Sequence, residues 1–235
     1  DYGIRLADNG SVEAVPISAG FDRYQIFAGF HIASFANATA RGGGTLGRTI
    51  NPYSCWDIGF RPACPDPRGM TLVDGRFWAD IYLLGVDHDR DGTSLYAATI
   101  ADGAKLPNLP AGGKAKKLDY ATAQAIYAHH GKHLLGAEEF FAAAYGVEER
   151  CSRDEEPDVT GEAAGARFVS KWGLIDATGT MWQWGTDGDP DNPRASVFGG
   201  SWWDGGIAGS RCADLGRWPG SSGWYISARG RCGHM

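Results

Sequence analysis

Long apolar runs, a basic surplus and paired-cysteine motifs are what this chain of 235 residues lacks, and each absence closes off a class of function. No stretch approaches the ~18 apolar residues of a membrane-spanning helix, and no cationic segment precedes an apolar one, so neither a membrane span nor a signal peptide is read. The formal net charge is −6, the wrong sign for a nucleic-acid footprint. The five cysteines, Cys55, Cys64, Cys151, Cys212 and Cys232, include no CxxC, which argues against a zinc knuckle or a thioredoxin-type motif. Cys55 and Cys64 can close a short loop in an oxidising compartment; buried free thiols are the alternative. There is no GxSxG elbow, and the run Arg41-Gly-Gly-Gly-Thr lacks the Lys-Ser/Thr ending of a phosphate loop.

What is present points elsewhere. Apolar residues at 43% and charged residues at 21% suit a globular chain and exclude wholesale disorder. The 35 glycines are roughly twice the usual share. Seven of the nine tryptophans follow Ser170. Many glycines and large rings with few helical patterns imply loops fixed over aromatic anchors, densest in the C-terminal third. Charge is local too: eleven acids face four Lys/Arg over 148–191, against two acids and four Arg over 195–235.

Short alternating runs predict strands at YGIRLA, VEAVPI, YQIFAGFHIASF, WDIGFRP and DGRFWADIYLLGVD. Two helices are predicted, one capped by Asp119 and stopped at Gly131, the other from Ala137 with a stop at Gly146. Strands, two central helices and a loop-rich strand region give an α+β class. The turn Asp87-His-Asp-Arg-Asp-Gly has the carboxylate spacing of half a calcium loop, but Ala98 stands where the bidentate Glu belongs. That turn and Asp187-Gly-Asp-Pro-Asp-Asn are read as solvated turns, with calcium left open. His129 and His133, one helical turn apart, can share a metal; polar histidines at a helix end are the plainer reading.

Three anchors in order carry a resemblance. Trp172-Gly-Leu-Ile-Asp-Ala-Thr-Gly-Thr-Met-Trp-Gln-Trp resembles the GLYDMSGNVWEW signature of the C-type lectin fold of formylglycine-generating-enzyme type. His133-Leu-Leu-Gly-Ala-Glu-Glu-Phe resembles its RLPTEAEWE, and Phe198-Gly-Gly-Ser-Trp its RGGSW. From Phe198 onward the chain resembles, without a gap, the variable region of the variable proteins of diversity-generating retroelements, of the phage tropism-determinant type. Its frame here is the Phe198 start, Trp202, Gly209-Ser-Arg, Ala213, Pro219, Ala228-Arg-Gly, Cys232 and His234. In that family, error-prone reverse transcription at template adenines rewrites chosen codons. The N-terminal portion shows no such resemblance, so a place on a phage tail is not implied.

The resemblance implies a single C-type lectin-fold domain over 1–235, with a β-rich portion at about 1–50 and a variable ligand-binding region at 198–235. Position by position it puts diversified, ligand-binding residues at Ser201, Trp203, Asp204, Gly205, Ile207, Asp214, Gly216, Arg217, Ser221, Gly223, Tyr225 and Ile226. Trp203 departs from the pattern, since adenine changes in an asparagine codon do not yield Trp. Trp182, Trp184 and Trp202 are expected in the core, and Trp203, Tyr225 and Ile226 on the surface. The expected partner is a protein or cell-surface ligand, with no nucleic acid and no resident cofactor; both a bacterial surface and a phage particle fit as its location. The rival is a formylglycine-generating-type enzyme or an inactive relative. Asp204 and Gly209 occupy its cysteine slots, and neither supplies a thiolate. A calcium-dependent carbohydrate binder is the third reading.

Overall fold

The computed structural model describes residues 1–17, 25–36, 46–60, 64–162, 165–188 and 195–233. The glycine loop at 41–45, the second acidic turn from 189 on, and His234 lie outside them. Strands β1 (Tyr2–Leu6) and β2 (Val12–Pro16) form an antiparallel hairpin, its turn closed by Asn9, whose side-chain oxygen accepts the Ser11 N–H at 2.9 Å. Strand β3 (Ile26–Phe30) adds to the other edge of β1. Next come β4 (Ile32–Ala36) and β5 (Leu46–Ile50), paired with each other, and β6 (Trp56–Asp57), which closes the first sheet in the order β2-β1-β3-β6.

The single strand expected across β3 and β4 breaks at His31. Its N–H donates to Ser54 Oγ at 2.8 Å, and its ring lies between Tyr82 Oη (3.0 Å) and an Asp1 carboxylate oxygen (3.2 Å). Those bonds take the backbone out of the ladder and send the two halves to different sheets.

Strands β7 (Met70–Val73) and β8 (Phe77–Asp80) form a buried hairpin. A one-turn helix α1 (His88–Asp91) follows, then α2 (Tyr120–His129), β9 (His133–Leu134) and α3 (Ala137–Ala143). Both main helices form as expected. Asp119 caps α2 by accepting the Thr122 N–H at 2.9 Å. Glu139 caps α3 by accepting the Gly136 N–H at 2.9 Å, and the Asp187 carboxylate accepts the Ala137 N–H. Asp187 is therefore spent on a helix start. The C-terminal half supplies β10 (Trp182–Gly185), β11 (Ala195–Phe198), β12 (Ala213–Arg217), β13 (Ile226–Ala228) and β14 (Gly230–Cys232). They build a sheet β12-β11-β10-β13, with β13 parallel to β10, and complete another in the order β7-β8-β14-β9. The class is α+β.

Two apolar clusters fill the space between these layers. One packs Phe140 against Phe198 with ring centroids 5.1 Å apart, beside Val73, Phe77 and Trp172. The other packs Trp184 and Tyr127 with Ile126, Val197, Ile226 and Ala228. All five cysteines are free thiols: Cys55 is exposed, while Cys64 is buried against Met70 Sδ (3.7 Å) and Cys232 rather than joined to Cys55.

Arg229, fully buried, sits between β13 and β14 and uses every N–H it has. Nε donates to Gln183 Oε1 (3.0 Å), Nη1 to the Asp80 and Ile81 carbonyls (2.7 and 2.6 Å), and Nη2 to those of Ile175 and Asp176 (2.7 and 3.2 Å). This is why the long strand expected from Asp74 to Asp87 stops at Asp80: the next carbonyls face a guanidinium instead of a strand. Burial lowers Arg229 to about 10, with Asp176, Tyr127 and Asp80 opposing, so it stays charged at neutral pH. A second buried cation, Lys132, pairs with Asp80 at 2.7 Å.

Arg229→Lys should destabilise the fold by about 3–5 kcal/mol, because an ammonium has three donors and no planar fork, leaving buried carbonyls without partners. Urea unfolding at pH 7 reads this directly; a loss under about 1 kcal/mol would show that the fork is dispensable. His31 gives a pH-dependent expectation. Burial depresses it from 6.5 to about 3, so its stabilising share is complete above pH 6.5 and is lost as the unfolded chain takes up the proton between pH 6.5 and 3. In His31→Gln the dependence of stability on pH within that window should be shallower by up to about 1.4 kcal/mol per pH unit. Parallel slopes for the two proteins would contradict it.

Candidate functional site

The C-terminal segment leaves the core at Phe198 and returns to it at Ile226, and everything between is loop, one short 3-10 turn (Gly205–Ile207) and the edge strand β12. The exit is a glycine turn. Gly200 has φ +77°, and a Cβ there would stand 2.7 Å from the Ala208 Cβ, so both conformation and space demand glycine. Asp204 then folds back: its Oδ2 accepts the Ser201 N–H at 2.6 Å and the Ser201 hydroxyl. Glu149 holds the next bend, accepting the Ser210 N–H (3.1 Å) and hydroxyl. Farther on, the 218–223 loop is clamped from below. Gly103 and Tyr120 donate backbone N–H groups to the Gly223 and Pro219 carbonyls (both 3.1 Å), and the Leu118 N–H donates to Ser222 Oγ (2.9 Å).

On this scaffold four rings meet. Trp203 lies 5.1 Å from Trp224 and 5.9 Å from Tyr225, and Trp202 lies 5.4 Å from Trp224, centroid to centroid. Arg217 closes the edge, donating to Tyr225 Oη at 2.6 Å with its guanidinium over the ring. Trp203 is 57% exposed, Trp218 66% and Ile207 66%, and Leu215 and Trp224 are exposed as well. Clustered aromatic rings left open to solvent mark a place of contact.

Of the twelve positions expected to face a ligand, ten are at least partly accessible: Trp203, Asp204, Gly205, Ile207, Asp214, Gly216, Arg217, Ser221, Gly223 and Tyr225. Ser201 and Ile226 are not, and that expectation is corrected. Ser201 is fully buried in the turn closed by Asp204. Ile226 is fully buried because β13 pairs with β10 at Trp182 and turns its side chain into the Trp184 cluster. Gly205 has open space around it but φ +55°, so a side chain there meets strain rather than a clash. Trp184 is in the core as expected, fully buried with Nε1 donating to the Leu118 carbonyl at 3.2 Å. Trp202 and Trp182 are half-buried, which corrects their core placement. Trp202 rests one face on the Leu83, Ile100 and Met181 cluster and offers the rest to the rings above. Sequence reasoning missed Trp218 and Trp224; the crowding of tryptophan after Ser170 was the available signal.

Thiol chemistry finds no footing here. Asp204 is tied to Ser201, and a side chain at Gly209 would collide with the Glu149 carboxylate at 2.2 Å. The nearest thiol, Cys212, is pushed up to about 11 by burial and by Asp204, Asp214 and Glu149, so it is protonated at neutral pH.

Known proteins share this architecture. A tail fiber receptor-binding protein of Bordetella phage BPP-1 is 39% identical over 272 residues, spanning 100% of this chain and 71% of that protein. The chain belongs to the major tropism determinant family. Among solved structures, the U1, M1 and I1 variants of the major tropism determinant are 37%, 38% and 38% identical, with TM-scores of 0.88, 0.88 and 0.89; each match covers 100% of this chain and 72% of theirs. No protein-family model matches the chain. The C-type lectin fold and the retroelement variable-protein class implied by the tail are thus those of the major tropism determinants. The similarity also runs through the N-terminal portion, in which the sequence by itself showed no resemblance. These relatives are tropism determinants and a receptor-binding protein, and none is an enzyme.

Frame and face should answer differently to mutation. Trp184→Ala should cost about 3–5 kcal/mol and Gly200→Val should be comparably harmful. Random replacement at Trp203, Ile207, Asp214, Gly216, Arg217, Ser221 and Tyr225 together should leave most variants folded, at about 0.5 kcal/mol or less per site. Melting temperatures of such a library beside the two frame mutants decide the matter; equal rates of unfolding would remove the distinction.

Proposed function

We propose that the 198–233 segment is the variable ligand-binding region of a single lectin-fold domain, and that it binds a protein receptor on the surface of a target cell. The carrying observation is the ring cluster of Trp202, Trp203, Trp224 and Tyr225, with Trp203 and Trp224 exposed, which lies inside the proposed variable segment and outside the bonds that hold the turn. Trp and Tyr give large, rigid contact area at low entropic cost, and they dominate binding energy where they are found in interfaces. Around them Ile207, Asp214, Gly216, Arg217, Ser221 and Gly223 supply changeable edges. Asp204 adds a contact while bracing Ser201. Ser201 and Ile226 act by packing, so changes there tune the loop from beneath.

The description of the phage relative as a tail fiber receptor-binding protein favours work on a phage particle over a bacterial surface. The enzyme reading has no support in the site, whose nearest thiol is protonated.

Binding of the labelled chain to a panel of bacterial strains, read by flow cytometry, tests the proposal. A responsive strain should lose binding after protease treatment of its surface, and Trp203→Ala and Trp224→Ala should each weaken binding by about tenfold or more with little change in melting temperature. Binding that survives protease would overturn the protein receptor. Variants that bind as tightly as the wild type would overturn the aromatic face.

A further inference from the structure

Two motifs that the tail leaves unused meet in the fold. Helix α1, in the acidic turn at 87–92, packs against the end of α2 that carries His129 and His130. Asp89, His129 and His130 each offer one ligand atom, and the three atoms all lie within 4.8 Å of one another. The expected partner of His129, His133, is not among them, because α2 ends at His129 and His133 lies in β9.

The surroundings suit a ligand. Asp89 Oδ1 is shut off from solvent and accepts no hydrogen bond, an uncompensated state for a buried carboxylate oxygen. The other acids of the turn are engaged: Asp87 accepts from Asn108 Nδ2 at 2.7 Å, and Asp91 pairs with Arg90 at 2.9 Å. The His130 ring is held in place, Nε2 standing 2.8 Å from the Asp89 carbonyl oxygen, with His129 edge-on at 4.9 Å. Gly92 leaves the room, since a Cβ there would fall 2.8 Å from His130 Nδ1. Behind the cluster His88, 3% exposed, packs edge-on to His130 at 5.8 Å with neither ring nitrogen hydrogen-bonded. The nearby cation, Lys132, has its charge offset by Asp80 at 2.7 Å.

We propose that Asp89, His129 and His130 bind a divalent transition-metal ion of the zinc class, pinning the acidic turn to the end of α2. Two imidazoles and one carboxylate form the donor set that zinc, nickel and cobalt prefer, with the remaining positions left to water. Calcium, which takes six to eight oxygen ligands, is poorly matched. The site shares no residue with the aromatic face and stands or falls separately from the receptor reading.

Calorimetric titration of the chelator-stripped full chain with zinc and with nickel tests it, together with the absorption spectrum of the cobalt form. One ion per chain should bind with a Kd on the order of a micromolar. Asp89→Asn and His129→Ala should each weaken binding by at least about tenfold, while His133→Ala binds as the wild type does. A roughly hundredfold excess of calcium should not displace zinc. Because Asp89 is half-exposed and His129 exposed, circular dichroism should show both variants folded. No binding at millimolar metal, unchanged affinity in both variants, loss of binding in His133→Ala, or intense thiolate charge-transfer bands in the cobalt form would each overturn the site.

Discussion

Arg229 carries a full positive charge into the interior, and the arrangement around it rests on satisfying that charge. Five N–H groups meet four main-chain carbonyls and the Gln183 side chain, drawn from β8 and the residue after it, from β10 and from the 175–176 bend. Asp176 takes φ +54° in that bend, a backbone state uncommon for a side chain longer than glycine. A buried guanidinium short of partners costs several kcal/mol, so these segments are positioned together or not at all. Strand β13 enters and β14 leaves through this one residue, which fixes where the variable segment begins its return to the core.

That anchoring explains how a surface can be rewritten without unfolding the chain. The restraints on the 198–226 segment are made by groups away from its exposed side chains: Gly199 and Gly200 at the exit, Glu149 on Ser210, the backbone of Gly103, Leu118 and Tyr120 under the 218–223 loop. The exposed rings lean on this frame from outside. With net stabilities of only about 5–15 kcal/mol, a diversified face has to be close to neutral for folding, and separating frame from face achieves it. Asp204 is the place where the two overlap, since one carboxylate both braces Ser201 and faces solvent. Its replacement is the substitution among the accessible slots with the clearest structural cost.

The same geometry bears on chemistry. A fold does not by itself carry an activity, because activity depends on groups placed in the site. Burial, aided by the carboxylates around it, keeps the proton on Cys212, where thiol chemistry needs it off. The accessible face carries rings, one arginine and small polar side chains, which suit contact.

The sequence alone determined the features that local rules and motif order dictate: the helix cap at Asp119, the start of the second helix at Ala137, the short strands and the glycine turn after Phe198, while the resemblance of three ordered motifs implied the lectin-type class and twelve surface positions, of which ten are accessible. The caps, strands and turns are written in neighbouring residues, because capping, pleating and left-handed turns are short-range. Only the tertiary structure decided the rest. His31 breaks a strand because Ser54, Tyr82 and Asp1 reach it from elsewhere in the chain, and the run past Asp80 leaves its sheet because Arg229 claims its carbonyls. Ile226 and Ser201 sank beneath the face, one through a parallel pairing with β10 and the other through a carboxylate three residues on. Trp218 and Trp224 surfaced where composition alone could not tell a core ring from an exposed one. Asp89 came to face His130 for the same reason: sequence records spacing along the chain, whereas burial and proximity are set by which distant segments pack together.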